Sequence, residues 1–384
     1  MYIYVYENSE TQVSVMNQKD RVKRMPRQSN FELLRICSML MIVALHILSH
    51  GGVSDKLEYG SSYYFCFSII RAISDVGVNC FVLLGAYFIC EKKFSIVRII
   101  KLETQVLVFS VLGLGVVFFC GGKVQFNSII RALTPTISGE YWFVTCYVIL
   151  LIVAPLLNIL ISSLNKKQLE FSIVLLLIVF SVVPTVANWG KGNFSSGNDL
   201  AWFIVLYFVA SWLKRYPIEV KYSKLVLMSC LLLTVFGEYV LIWLNRRIGA
   251  SVGERYLFYN NAPLLFIASV MFFLMFQRLK IHSECLQKLI NKLASYSFGV
   301  YLLHDNKNMR SLIWGLIRPT RVLDYGLLSS IFLFCLIAIS LYLVCSMADV
   351  VREKLFAIFG ISNLELRVGR RIDHSIQEKI DSIG

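Results

Sequence analysis

Ten long apolar runs, separated by short stretches rich in Lys and Arg, constrain this chain more than any other feature. A helix needs about 20 predominantly apolar residues to cross about 30 Å of hydrocarbon, where the backbone must satisfy its own hydrogen bonds. The runs lie near residues 31–49, 63–90, 104–120, 141–164, 171–187, 200–213, 225–244, 257–276, 295–317 and 327–351, the sixth being the shortest. Composition agrees. Of 384 residues, 57% are apolar and 16% charged, against about 45–50% and about 25% in an ordinary soluble domain. At a mean hydropathy of +0.65 there are too few polar residues to cover a soluble surface. Disordered, collagen-like and coiled-coil classes fall to the same numbers. The expected fold class is all-α, a polytopic membrane helical bundle of about ten transmembrane helices.

The formal net charge is +14. Lys and Arg cluster between the apolar runs, which is a topology signal, and no nucleic-acid partner is expected. Taken by alternate connections, one side carries 25 of them and the other 11, with Arg35 and Arg71 inside spans. This bias puts both termini in the cytoplasm, as an even number of spans requires. The last outer connection, with Lys307, Arg310, Arg318 and Arg321, runs against the rule. The layout is a basic cytoplasmic tail over 1–29, a membrane domain over 30–351 and a cytoplasmic C-terminal tail over 352–384, with no internal repeat. That last tail has a weak helical pattern through Leu364, Leu366, Val368, Ile372, Ile376 and Ile380. The first run holds Glu32, Arg35 and His46 and no small-residue cleavage site follows, so it reads as a retained span. The ten Cys form no C-x-x-C pair and lie mostly inside apolar runs, as small buried residues do.

Ionisable groups inside spans are costly, so each is a candidate for function. Arg35 and His46 are eleven residues apart on the first span. That spacing puts both on one helix face, about 16 Å apart along the axis. With the N-terminus inside, Arg35 lies near the cytoplasmic leaflet and His46 in the outer half. An Arg there can hold phosphate with forked hydrogen bonds, and an imidazole above it can take a proton from a hydroxyl. The alternative is a snorkelling Arg and a His satisfied by a neighbouring helix. Arg71, Asp75 and Asn79 form a stripe at i, i+4 and i+8, either an internal packing pair or a wall of a polar cavity shared with Arg35 and His46. His304 falls near mid-membrane in the ninth run, where a lone His is more often structural. Glu140-Tyr141-Trp142-Phe143 opens the fourth run at the outer surface, where Tyr and Trp read most simply as an interfacial belt and otherwise as sugar-stacking faces. Glu238 and Glu254-Arg255 are weaker candidates.

G-x-S-x-G, the P-loop, H-E-x-x-H and a strand-borne G-x-G-x-x-G are all absent. The five His (46, 50, 282, 304 and 374) show no recognised metal-ligand spacing, so no metal is expected.

Asn30-x-Glu-Leu-Leu-Arg35 followed by His46 resembles the opening helix of acyltransferase family 3, multi-pass membrane enzymes that modify carbohydrates. Gly77-Val-Asn79-Cys-Phe-Val-Leu-Leu-Gly-Ala-Tyr87-Phe88, Tyr141-Trp-Phe-Val-x-x-Tyr147 with Pro155-Leu-Leu-Asn158, and Ser295-Tyr-Ser-x-x-x-Tyr301-Leu-Leu-His304 are similar to three further segments of that family, in order. The family's Ser-Gly is here Gly85-Ala86, so no role for that Ser carries over. The resemblance implies transfer of an acyl group, usually acetyl from acetyl-CoA as cosubstrate, to a hydroxyl of a cell-envelope polysaccharide or its lipid-linked precursor, directly or through an acyl-enzyme. It implies no bound cofactor, a plasma (inner) membrane location, membrane lipid as surroundings, and Arg35 and His46 as the functional pair. Arg71, Asp75, Asn79, Tyr141, Trp142 and His304 would serve substrate or cosubstrate. A transporter or flippase for a lipid-linked sugar would also suit ten spans with buried charge. Such folds often carry paired halves with broken helices. This chain has 7 Pro and no half-to-half match.

Overall fold

The computed structural model describes residues 27–187, 196–248 and 256–381, and every regular element among them is helical. Most of the basic N-terminal tail and the Glu254-Arg255 pair lie outside the described residues. In chain order come α1 (Ser29–Ser49), α2 (Ser62–Ile89), α3 (Ile96–Phe119), α4 (Phe126–Leu133), α5 (Trp142–Ser163), α6 (Lys166–Leu177) and α7 (Val183–Ala187). Then follow α8 (Leu200–Arg215), α9 (Ser223–Ile248), α10 (Pro263–Gln277), α11 (Glu284–Ser295), α12 (Ser297–His304), α13 (Arg310–Ile317), α14 (Leu327–Ile358) and α15 (Ile361–Asp381). A π turn over Ile178–Val182 joins α6 to α7 in one rod. Eight of these segments are long and apolar enough to cross a membrane: α1, α2, α3, α5, the α6–α7 rod, α9, Tyr256–Gln277 with α10, and α14. The protein is a polytopic helical membrane protein.

Two of the ten expected spans differ from that description. The sixth is α8, whose 16 residues rise about 24 Å, less than the hydrocarbon thickness. It is buried along most of its length, from Trp202 through Leu213, so it needs little lipid-facing surface. The ninth, expected as one helix over 295–317, is broken into α12 and α13 at Asp305–Met309. The Asn306 side-chain oxygen accepts from the backbone N–H of Asn308 (3.0 Å) and of Met309 (3.2 Å). A short polar side chain bonding its own backbone in this way competes with the helical ladder and ends it.

The bundle faces lipid with large apolar residues and turns its polar groups inward. Phe332, Leu336, Ile339, Leu343 and Met347 are exposed along α14, and Leu107, Val111 and Leu112 along α3. Asn79 shows the inward side: its Nδ2 donates to the Asn260 carbonyl (2.8 Å) and to Ser269 Oγ (3.2 Å), and its Oδ1 accepts from Trp202 Nε1 (2.9 Å). One amide thus ties α2 to α8 and α10.

A close helix crossing sets the depth of much of the rest. A Cβ on Gly77 would lie 2.7 Å from Met41 Cβ and 2.7 Å from the Ser38 carbonyl oxygen. Here α1 and the returning α2 meet with no room for a side chain. Counting outward from Met41 and Gly77, Ile47 and Arg71 are each six residues on, about 9 Å along their axes. Arg71 therefore shares the depth of His46 and Ile47. On the side where α1 begins, called inner below, α15 folds back on α3. Asp373 Oδ1 accepts from the Ile96 N–H (2.7 Å) and Oδ2 from Ser95 Oγ (2.9 Å), which caps α3.

Replacing Gly77 by Leu should overpack this crossing and destabilise the protein by about 1–3 kcal/mol or more. A clear fall in the thermal unfolding midpoint in detergent is expected, and an unchanged midpoint would show that α1 and α2 do not meet at Gly77.

Candidate active site

The helices α1 and α12 run in the same direction, and their outer ends bring two imidazoles together. His46 Nδ1 lies 2.8 Å from His304 Nε2, and His304 Nδ1 lies 2.6 Å from the Val300 carbonyl oxygen. A carbonyl can only accept, so His304 carries its proton on Nδ1 and, as a neutral imidazole, offers a lone pair at Nε2. His46 must then donate from Nδ1, which leaves its Nε2 as a proton acceptor. His304 is fully buried and fixed by its own helix, so it holds His46 in one tautomer and one orientation.

Two residues that sequence reasoning passed over, His50 and Asp305, complete the cluster. Asp305 Oδ1 is 3.7 Å from His46 Nδ1 and 3.7 Å from His50 Nε2, and it accepts from Arg310 Nη2 at 2.6 Å. The signals were present in the one-turn spacing of His46 and His50 and in the adjacency of His304 and Asp305. One ligand atom each from His46, His50 and Asp305 lies within 4.8 Å of the others, a spacing that a metal ion could use. The donors do not fit it well. His46 Nδ1 is already bonded to His304, and a guanidinium occupies the Asp305 oxygen that a cation would need. The set is better suited to moving and stabilising a proton.

Inward of His46 runs a narrow apolar slot. Met39, Ile42 and His46 form its α1 wall, and Val78, Phe81, Trp142, Phe143, Phe298 and Tyr301 the rest. Its volume of about 20 Å³ is room for about one water. Trp142 thus faces the site, and Tyr141 departs from the expected interfacial belt. Tyr141 is fully buried, donates to the Leu302 carbonyl (2.9 Å) and accepts from Asn306 Nδ2 (2.8 Å). A phenol that closes the end of α12 and holds the first residue of the break is pulled inward because those backbone groups would otherwise be unpaired.

Arg35 shares the Met39–Ile42–His46 face, as the spacing requires, but it is only 6% exposed and donates from Nη1 to Glu32 Oε2 at 2.9 Å. Its charge is balanced one turn back on its own helix. Arg71 and Asp75 approach at 3.6 Å on the outer half of α2. Arg71 lines a separate cavity, with neither Arg35 nor His46 among its walls, and Asn79 lines neither cavity. Glu238 is buried and its Oε2 accepts from the Leu257 N–H at 3.0 Å, outside the His46 cluster.

At the inner end, Lys92, Arg98, Lys214 and Arg215 gather near the α2–α3 and α8 termini. Lys214 Nζ pairs with Glu91 (2.9 Å) and sits 5.5 Å from the Tyr87 ring centroid. Lys92 is pushed down to about 8 by burial and by the cations of Arg98 and Lys214 beside it. Three crowded cations are relieved by an arriving anion. Tyr147 lies one side of this cluster, packed so close to Gly85 that a Cβ there would come within 3.0 Å of its ring and hydroxyl.

A family model described as an acyltransferase domain, acyltransferase family 3, matches residues 28–349. No curated protein and no solved structure matches the chain.

Replacing Tyr141 by Phe should leave Asn306 Nδ2 and the Leu302 carbonyl each one hydrogen bond short in a buried site, at a cost of about 1–3 kcal/mol. The check is a thermal melt beside Tyr63→Phe, whose hydroxyl donates to the Tyr325 carbonyl (2.6 Å) at an exposed site and should matter little.

Proposed function

The chain belongs to the acyltransferase domain family, and from that premise and the geometry above we propose that it moves acetyl from cytoplasmic acetyl-CoA to a hydroxyl of a cell-envelope polysaccharide or its lipid-linked precursor, in the plasma membrane. The single observation that carries this reading is the His46–His304–Val300 chain, which leaves His46 Nε2 as a base at the head of a slot leading inward. The acceptor hydroxyl gives its proton to His46 Nε2 as its oxygen attacks the thioester carbonyl, the carbon–sulfur bond breaks, and the proton passes on to the departing CoA sulfur. While His46 is doubly protonated, His304 accepts from its Nδ1 and the Asp305 carboxylate lies 3.7 Å away to balance its charge.

The donor enters from the inner side in this reading. Its phosphates meet Lys92, Arg98, Lys214 and Arg215, and its pantetheine arm follows the α1 face past Met39 to His46. The roughly 16 Å from Arg35 to His46 is within reach of an extended thioester arm. Arg35, neutralised by Glu32, keeps the wall of that path polar at its inner end. The slot is too narrow for an acyl chain in this conformation, so Trp142 and Phe143 must turn aside on donor binding.

His46→Ala should lower acetyl transfer about 100-fold to 10,000-fold, and His304→Ala should cost less, with His304→Gln recovering part of the loss. Acetyl content of surface polysaccharide, by proton NMR of cells complemented with each form, is the check. Wild-type acetylation by a correctly inserted His46→Ala protein would sink the mechanism, and unchanged acetyl with less glycan at the surface would favour a transporter or flippase.

Lys92 holds its proton below about 8 and loses it as pH rises through that value, so the anion it faces is held best on the acid side. KM for acetyl-CoA should rise above pH 8, and Lys92→Arg should flatten that rise. A KM that is level from pH 7 to 9 in the native protein would remove Lys92 from the donor site.

A further inference from the structure

On the outer side of the bundle a second cavity of about 320 Å³ opens between the α1–α2 connection, α2 and α9, and acyl transfer as described above makes no use of it. Ser54, Asp55, Tyr59, Ser68, Arg71 and Arg246 supply its polar wall. Its wall carries two guanidiniums and the Asp55 carboxylate, and Asp75, outside the lining, balances Arg71 from 3.6 Å. Its depth is set by the Gly77 crossing: Arg71 lies at the level of Ile47, next to His46. A molecule held against Arg71 from outside therefore presents its neighbouring groups at the depth of the base.

Both guanidiniums are fixed before any ligand arrives. Arg246 stacks 4.2 Å over the Tyr59 ring, which in turn stacks on Tyr239 at 4.7 Å and donates from its hydroxyl to the Tyr239 carbonyl (3.0 Å). Arg71 is held 5.4 Å from the Phe258 ring centroid. Its Nε and Nη1 are buried and donate to no acceptor, since Asp75 Oδ2 at 3.6 Å is beyond hydrogen-bond length. Buried guanidinium donors beside a cavity, left without an acceptor, are the mark of a site that an oxyanion completes.

We propose that this cavity binds the anionic group of the acceptor, a phosphate or carboxylate carried next to the sugar, between Arg71 and Arg246. Calling the ligand an acceptor rests on the acyl-transfer reading; the anion site itself does not. Two sources share this chemistry, the diphosphate of a polyprenyl-linked sugar and the carboxylate of a uronic acid.

The test is binding, with no acyl donor present, to the purified full chain in nanodiscs. One arm titrates a polyprenyl diphosphate and the other a trigalacturonate, with polyprenol and a neutral galactose trisaccharide as controls. One anion should bind and its control should not. Arg246 is exposed at the rim, so its variants should fold: Arg246→Gln should weaken binding about tenfold, Arg246→Lys should recover part of it, and Asp55→Asn should tighten it severalfold. Binding that is equal in native and Arg246→Gln protein, or absent for both anions in a protein with a normal melt, overturns the proposal. Acetyl-CoA turnover by the same native preparation reports on the acyl-transfer reading separately. Turnover without anion binding sinks the anion site alone, and anion binding without turnover sinks the transfer reading alone.

Discussion

The place where α1 and α2 touch at Gly77 fixes the vertical scale of the molecule. Hydrocarbon gives helices no hydrophobic reason to associate, so close backbone approach through small residues does much of the work. Because Gly77 has no side chain, Met41 and Ser38 can sit directly against α2. From that contact, each residue's depth follows by counting 1.5 Å per step. His46 and Arg71 end up level with one another, and the inner cation cluster lies at the other end of the same two helices. A slip of one turn between α1 and α2 would move His46 away from His304 and from the outer cavity together.

The second organising rule is that every polar group in the bundle must find a partner inside it. Asn79 does so by tying three helices, and Tyr141 by closing the end of α12. Arg35 does so with Glu32. Among the exceptions, two lie beside cavities: Arg71 keeps two buried nitrogens without hydrogen-bond acceptors, and His46 keeps one ring nitrogen free on the geometry of its neighbour.

How much of this could be read from the chain alone depended on distance along it. Spans were legible because hydropathy is a local property, and Arg35 and His46 could be put on one face because both lie on one helix. The break in the ninth span was hidden: Asp305 to Met309 is a short polar interruption between apolar neighbours, and averaging over a membrane-length window conceals it. Tyr141 was misread as interfacial because its partners, Leu302 and Asn306, are some 160 residues away. The stripe of Arg71, Asp75 and Asn79 was correctly seen as inward-facing. That it serves two different surroundings, an outer cavity and a knot of helices, follows only from how α8, α9 and α10 assemble around it.

The break after His304 also has an electrostatic meaning. A helix that stops inside the membrane leaves its last carbonyls pointing out of its end, equivalent to about half a negative charge there. The end of α12 delivers that partial charge to the two imidazoles and to Arg310. A continuous helix would carry it across to the far surface, where water would quench it. By stopping short, α12 turns its own backbone into a fixed counter-charge at the depth of His46 and His304, and in the proposed transfer that charge would steady a proton resting on His46.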